Sequence, residues 1–277
     1  MDPSSVNSSL SEQVVVELLE DLYRRFGLDY RNYSHTFIAR RIISFARKSS
    51  FDSIEELVQN ILNNDKQMES FVDSLSLPTT RMFRDPEVFR LLRDMIIPSL
   101  AVNHLSKVWS AGCSTGEEAY SLSIVLKEEL PERKILTFAT DLSERALYTA
   151  RKGIYKLRRM RTYTSGYIAA GGKADFSNYY TADHENAIMN EELKRSMVFA
   201  QHNLVTDSSF NEFDLILCRN VLIYFNRLLQ AQVVTLLMNS LRPGGVLILG
   251  DKESISSMSP RKNLVELDRT YRIYRKT

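Results

Sequence analysis

The chain has 277 residues, 44% of them apolar, with 36 Lys and Arg against 34 Asp and Glu and a net charge of +2. That length holds one or two domains with a substantial core, and so mild a charge balance is no argument for a nucleic-acid partner, which calls for a strongly basic patch. Two cysteines, Cys113 and Cys218, exclude a disulfide framework, and four scattered histidines (His35, His104, His184, His202) offer no metal-ligand cluster.

The serine-rich start, Met1 to Ser9, has no basic and apolar regions of a signal peptide and reads as disordered. No run reaches the roughly 18 apolar residues of a membrane span, so a soluble cytoplasmic protein without direct membrane insertion is expected. From about Ser11 to Leu75 apolar residues recur at helical spacing. Val14, Val15, Leu18, Leu19, Leu22 and Phe26 form one stripe, and Ile54, Leu57, Val58, Ile61 and Leu62 another. Ser11, Ser34 and Asp52 or Ser53 are expected N-caps, and Gly27 the stop of the first helix. The middle of this segment holds Arg24, Arg25, Arg31, Arg40, Arg41, Arg47 and Lys48 with only Asp29 opposing. Such a stretch suits an acidic partner, although a solvated helix face accounts for it as well.

Val108 to Glu118 reads as a buried strand, a glycine-bracketed turn and a helix start, the layout of a loop that lets backbone approach a cofactor. Its Gly-x-x-x-Gly spacing is neither the dinucleotide fingerprint nor a phosphate-cradling loop. The adjacent Glu117 and Glu118 repel phosphate and suit a ligand carrying an amino group. S-adenosylmethionine, which has an adenosine, an ammonium, a sulfonium and no phosphate, fits better than NAD or ATP. A second β-rich run, Ile135 to Asp141, ends on a carboxylate placed to accept hydrogen bonds from both ribose hydroxyls, or else to favour the helix that follows from Ser143 to Lys152. Residues about 156–197, with Gly166, Gly171, Gly172 and several tyrosines, read as an insertion, and the basic run Arg151 to Arg161 before and within it suits an acidic surface. Phe213 to Cys218 is a strand, apolar but for Asp214, ending in the polar pair Arg219-Asn220, and Leu241 to Gly250 reads as a helix stop, a tight turn and a further buried strand. Together these runs predict a doubly wound, mostly parallel α/β sheet with one cleft at its strand ends. An N-terminal helical domain with linker (1–90) precedes it, and the sheet domain (91–277) carries a small inserted β-subdomain.

Four segments resemble motifs of the CheR family of chemotaxis receptor glutamate methyltransferases, and the likeness covers nearly the whole chain. They are Thr80-Arg-Met-Phe-Arg84-Asp, similar to the family's linker motif, and Trp109 to Glu118, similar to its cofactor loop. The other two are Ala139-Thr-Asp141, its ribose-binding run, and Cys218-Arg-Asn220-Val-Leu-Ile-Tyr224-Phe, its fourth-strand motif. Pro78 stands where the family often has asparagine, leaving only a carbonyl and a ring for any contact, and Met82 replaces its first phenylalanine. The resemblance implies a class I, Rossmann-like methyltransferase fold. It places Thr80, Arg84, Glu118, Asp141, Asn203, Leu204, Arg219 and Asn220 at an S-adenosylmethionine site, with Glu117 an alternative to Glu118. Asn203-Leu204 follows the strand-like Val198 to His202, which suits the adenine side.

The chemistry so implied is attack of a substrate glutamate carboxylate on the sulfonium methyl, giving a glutamyl methyl ester and S-adenosylhomocysteine. A carboxylate is already ionised at neutral pH, so no strong general base is required. Arg84 and Tyr224 are the catalytic candidates, a cation and a hydroxyl that orient the nucleophile. Their bland readings are a salt bridge from Arg84 to Asp85 or Glu87 and simple packing of Tyr224. The implied partners are the cytoplasmic domains of methyl-accepting chemotaxis receptors, met by a monomer that binds no nucleic acid. A nucleic-acid methyltransferase is disfavoured because Arg219-Asn-Val-Leu replaces the Asn/Asp-Pro-Pro-Tyr/Phe run that positions a flipped base. A non-catalytic signalling module that binds S-adenosylmethionine or S-adenosylhomocysteine is the remaining alternative.

Overall fold

The computed structural model describes residues 10–49, 51, 53–75, 80–100, 105–255 and 263–277. The serine-rich start, Asp52, Pro78 and His104, all singled out above, lie outside them. The chain forms two compact units, Met1–Leu77 with Ile223–Gln230, and Pro78–Leu222 with Ala231–Thr277.

In the first unit, α1 (Glu12–Phe26) starts at Ser11, whose hydroxyl accepts the Val14 N–H, and stops at Gly27 in the left-handed region at φ 70°. That conformation suits glycine because a Cβ there is strained. α2 (His35–Ser49) follows directly after Ser34. α3 (Ile54–Asn63) is capped by Ser53 through the Glu56 N–H, and α4 (Asp65–Leu75) completes the bundle. Val15, Leu18, Leu19 and Leu22 pack with Ile38, Ile42, Phe45, Leu57, Ile61 and Phe71 into one core. Burying a side chain of this size contributes roughly 1.5–3 kcal/mol, so the stripes rather than helix propensity hold the unit together. Residues 223–230 join the same unit: Ser34 donates its N–H to the Tyr224 carbonyl at 2.8 Å, and the Phe225 ring meets Tyr33 edge-on.

The second unit is the expected α/β fold. Its entry helix runs through α5 (Pro86–Leu91), a π-helical turn (Leu92–Ile96) and α6 (Ile97–Leu100). Then come β1 (Leu105–Ala111), α7 (Glu117–Glu129), β2 (Lys134–Asp141) and α8 (Glu144–Lys152). An inserted stretch follows: β3 (Ile154–Lys156), α9 (Met160–Ala169), β4 (Tyr180–Ala182), β5 (Asn186–Met189) and α10 (Glu191–Lys194). The chain returns through β6 (Met197–Gln201), β7 (Phe213–Cys218), α11 (Arg227–Asn239), β8 (Leu241–Leu249), β9 (Leu264–Asp268) and β10 (Ile273–Lys276). Among the described residues one seven-stranded sheet has the order β6-β2-β1-β7-β8-β10-β9. Its first five strands are parallel, and β10 lies antiparallel between β8 and β9. The insertion adds a small antiparallel sheet, β3-β5-β4. The turn expected near Gly244 is an irregularity inside β8, where Phe213 faces Leu241 but Leu215 already faces Val246. Gly244 takes φ 77° there, so the extra residues loop out while pairing continues on either side.

The π turn aims Arg93 inward. Its side chain is only 6% exposed, and it donates to the Ala170 carbonyl, to Glu129 and to Glu128. The Tyr167 and Tyr179 hydroxyls donate to the same Glu128 carboxylate. Burial pushes Glu128 up, but the hydrogen bonds from Tyr167, Tyr179 and Arg93 outweigh it and hold the group below its ordinary value. This cluster pins the entry helix and the insertion to α7. Arg93→Leu is expected to destabilise the protein by about 3–5 kcal/mol in urea unfolding, because the buried Glu128 loses its cation and Glu129 keeps only Lys173. A lowered carboxylate contributes stability above its ordinary 4.5 and loses it as pH falls through the folded value. The acid sensitivity of the parent should therefore shrink in the variant, and a variant of parental stability would show the cluster to be idle.

Candidate functional site

In the parallel part of the sheet the chain runs outward from β1 to β2 and β6, then returns to start β7 and β8 on the other side. The reversal lies between β1 and β7, and ligands of open α/β sheets bind outside the carboxyl ends of the strands at such a point. Gly112 follows β1 and Arg219 follows β7, so the two polar loops read from the sequence meet at this crevice.

The loop after β1 is tied to β2. Gly112 and Cys113 both donate their N–H to the Thr140 carbonyl at 2.8 Å. Gly112, Ser114 and Gly116 all have positive φ (75°, 52° and 92°). A Cβ on Gly112 would lie 2.5 Å from Val221 Cγ2, and one on Gly116 2.8 Å from Ala150 Cβ, so these two positions require glycine on both counts. The turn presents the Ser114 N–H to Asp141 Oδ2 at 2.8 Å, while Asp141 Oδ1 accepts from the Ser143 N–H at 2.9 Å. Burial pushes the Asp141 carboxyl up despite these two amides.

The paired glutamates part company. Glu117 is fully buried, accepting from the Thr115, Tyr163 and Arg159 side chains, and burial pushes it up. Glu118 faces Ser110 Oγ at 2.9 Å and Arg219 Nη1 at 3.2 Å. Arg219 is 1% exposed; it also donates to the Arg84 carbonyl at 3.2 Å and to Asp85 Oδ2 at 2.5 Å. The buried Arg219 Nε has no hydrogen-bond partner among the described residues. Asp85 sits at φ 55° and its side chain makes no helix cap, since it is given to the arginine. Arg84 places its Nε 4.0 Å from the same Asp85 oxygen. Asn220, at φ 60°, donates its N–H to Glu253, whose Oε2 also takes the Gly250 N–H at 2.6 Å and so closes the ends of β7 and β8 together.

The structure thus joins Arg84, Glu118 and Arg219 into one network and sets Asp141, the last residue of β2, against the loop that follows β1. Asn203 follows β6 and turns its amide oxygen onto the Val205 N–H at 2.9 Å, with Leu204 half-buried beside it. Thr80 is half-buried at the start of the linker. Tyr224 belongs to the helical unit, where its ring packs against Phe37 at 4.6 Å. Glu253 stands unmarked in the sequence, and Asp85 stands there only as a neighbour of Arg84. Nothing in the spacing marks either, because their partners lie across the sheet. Both cysteines are buried, and burial pushes their thiols well up, which suits packing rather than nucleophilic attack. Among the described residues there is no group of metal-ligating side chains and no helix long and apolar enough to cross a membrane.

This chemistry fits a zwitterionic, phosphate-free nucleoside ligand. A carboxylate and a guanidinium with one buried N–H unassigned stand side by side, and a second carboxylate ends the neighbouring strand. Comparison with known proteins agrees. Residues 78–271 match the family described as CheR methyltransferase, SAM binding domain, and residues 16–76 match CheR methyltransferase, all-alpha domain. A Pseudomonas putida protein named as the methyltransferase Cher3 is 42% identical over 94% of this chain and 95% of its own length. A Listeria innocua chemotaxis protein methyltransferase is 32% identical over 84% of this chain and 86% of its own. Chemotaxis protein methyltransferase 1 of Vibrio cholerae is 28% identical over 93% and 94%.

Proposed function

The chain belongs to the CheR methyltransferase family, and from that premise we propose that it methylates glutamate side-chain carboxylates in the cytoplasmic domains of chemoreceptors. Its sheet unit is an S-adenosylmethionine-binding domain. The observation that carries the finer reading is the Glu118–Arg219–Asp85 network at the switch point, which joins the cofactor loop to the Arg84 linker.

In this reading Asp141 holds the ribose, Glu118 and Arg219 hold the amino-acid end, Asn203 and Leu204 border the adenine, and Thr80 and Asn220 complete the pocket wall. When bound, S-adenosylmethionine supplies an activated methyl group that a carboxylate oxygen accepts, leaving S-adenosylhomocysteine. The nucleophile arrives ionised, so the protein's task is orientation and exclusion of water rather than proton removal. Arg84, a third exposed and beside Asp85, is the cation that steers the incoming carboxylate. Tyr224 takes the hydroxyl role on the family motif alone. The basic partner-facing character expected from the sequence is supported by α2, where Arg40, Ile43, Ser44, Arg47 and Lys48 line a groove suited to an acidic helical surface.

The direct test is transfer of a tritiated methyl group to membranes rich in chemoreceptors. Base-labile label on the receptors supports the reading, label on nucleic acid overturns it, and binding of S-adenosylmethionine without transfer points to a non-catalytic module. Arg84→Ala is expected to lower turnover about a hundredfold, the scale of losing one preorganised charge partner at the reacting centre. S-adenosylhomocysteine affinity, read by calorimetry, should change much less. Full turnover in that variant removes Arg84 from the catalytic list.

A further inference from the structure

The cofactor loop puts three of the five residues from Gly112 to Gly116 at positive φ, a shape that persists only when its surroundings hold it. Two of its anchors come from the sheet, the Thr140 carbonyl and the Asp141 carboxylate. The others come from the inserted β-subdomain. Tyr155 of β3 donates its hydroxyl to the Thr115 carbonyl at 2.8 Å. The Thr115 hydroxyl donates to Glu117 Oε2 at 2.6 Å, and Glu117 Oε1 takes the Tyr163 hydroxyl and Arg159 Nη1, each at 3.1 Å. The Glu117 carbonyl accepts from Ser121 Oγ at 2.7 Å, and that oxygen in turn accepts the Phe83 N–H at 2.8 Å, one residue before Arg84.

We propose that Glu117 is a positioning residue through which the inserted subdomain sets the shape of the cofactor loop, so that Tyr163 and Arg159 govern S-adenosylmethionine affinity without touching the cofactor. The proposal rests on the crevice being the cofactor site. A carboxylate with no exposed surface has no use as a surface charge. A residue that merely filled space here would be apolar, because burying an ion is expensive unless its partners are fixed. Its partners are divided between the loop on one side and the insertion on the other, which makes it a tie between the two.

The test titrates S-adenosylhomocysteine into the full chain by calorimetry for Tyr163→Phe, Arg159→Gln, Glu117→Gln and the double variant Glu117→Gln/Tyr163→Phe. Tyr163→Phe removes one hydroxyl and Arg159→Gln alters a side chain that is half exposed, so both variants keep the fold even if Glu117→Gln does not. Affinity is expected to fall about threefold to tenfold in each single variant, with KM for the methyl donor rising and kcat little changed. The double variant should bind no more weakly than Glu117→Gln, because both changes cut the same tie. Lower melting temperatures with parental affinity in Tyr163→Phe and Arg159→Gln, while Asp141→Ala binds weakly, would overturn the role of Glu117. Parental affinity in Asp141→Ala as well would overturn the crevice assignment beneath it.

Discussion

Replacing Arg219 with alanine is expected to eliminate measurable methyl transfer and to lower folding stability by about 3–5 kcal/mol. The guanidinium, 1% exposed, is shared by Glu118 on the cofactor loop side and by Asp85 and the Arg84 carbonyl on the linker side. Its removal leaves Glu118, itself 15% exposed, without its cation, and leaves the Asp85 carboxylate, at positive φ, with only the 4.0 Å approach of Arg84 Nε. Two consequences separate from one another. Loss of the Glu118 contact weakens S-adenosylhomocysteine binding, whereas loss of the Asp85 contact frees the linker and misplaces Arg84. Arg219→Lys should land between parent and alanine variant, because a single ammonium cannot bridge two carboxylates and a carbonyl as the planar fork does. Calorimetric titration together with urea unfolding measures both effects. A stable, active Arg219→Ala protein would remove the network from the mechanism.

That network explains which parts of the site are legible in the sequence. The glycines of the loop, Asp141 and the Arg219-Asn220 pair are visible because each stands where a strand of apolar residues stops, and the sheet brings strand ends to one edge. The choice between Glu117 and Glu118 is not visible. Adjacent helix residues point about 100° apart, so one of them must face Arg219 and the other must turn away, but only the packing of α9 decides which. Asp85 and Arg219 are 134 positions apart, and their pairing depends on a left-handed residue that an aspartate's neighbours do not announce. Glu253 is hidden for the same reason, since it closes β7 against β8 only once both strands are laid down.

The fold shows the same division. Caps and stripes foretell α1 and α3 because they are local: Ser11 and Ser53 satisfy N–H groups three residues ahead, and the apolar period matches the helix. The π turn at Leu92–Ile96 has no such signature, since it exists to aim Arg93 at Glu128 and Glu129, more than 30 positions away. The bulge in β8 is likewise set by its neighbour, whose register resumes at Leu215 and Val246. Residues 223–230 follow the β7 motif directly yet pack with Tyr33 and Phe37, a tertiary choice that the run Leu-Ile-Tyr-Phe alone does not disclose.

With Asp141 in its proposed role at the ribose, Asp141→Asn is expected to weaken S-adenosylhomocysteine binding about a hundredfold, the worth of exchanging two charge-assisted hydrogen bonds for poorer ones. Its pH behaviour gives the sharper test. Burial pushes the Asp141 carboxyl above its ordinary 3.8, and the amides of Ser143 and Ser114 only partly offset this. The sign is therefore opposite to that of Glu128: the folded, ligand-free protein binds its proton more readily than the unfolded chain, so this group's contribution to stability declines as pH rises through the window between the two values. The ionised form that the proposed ribose contact requires is thus held at a cost to the empty fold. Ligand binding recovers that cost by favouring ionisation, so affinity in the parent should fall as pH drops through the raised value, and binding there should release a proton. Calorimetry in buffers of different ionisation enthalpy measures that release directly. Asp141→Asn should show neither the acid decline nor the proton. An unaltered pH profile in the variant would mean that the strand-end carboxylate serves the helix behind it rather than the nucleoside in front.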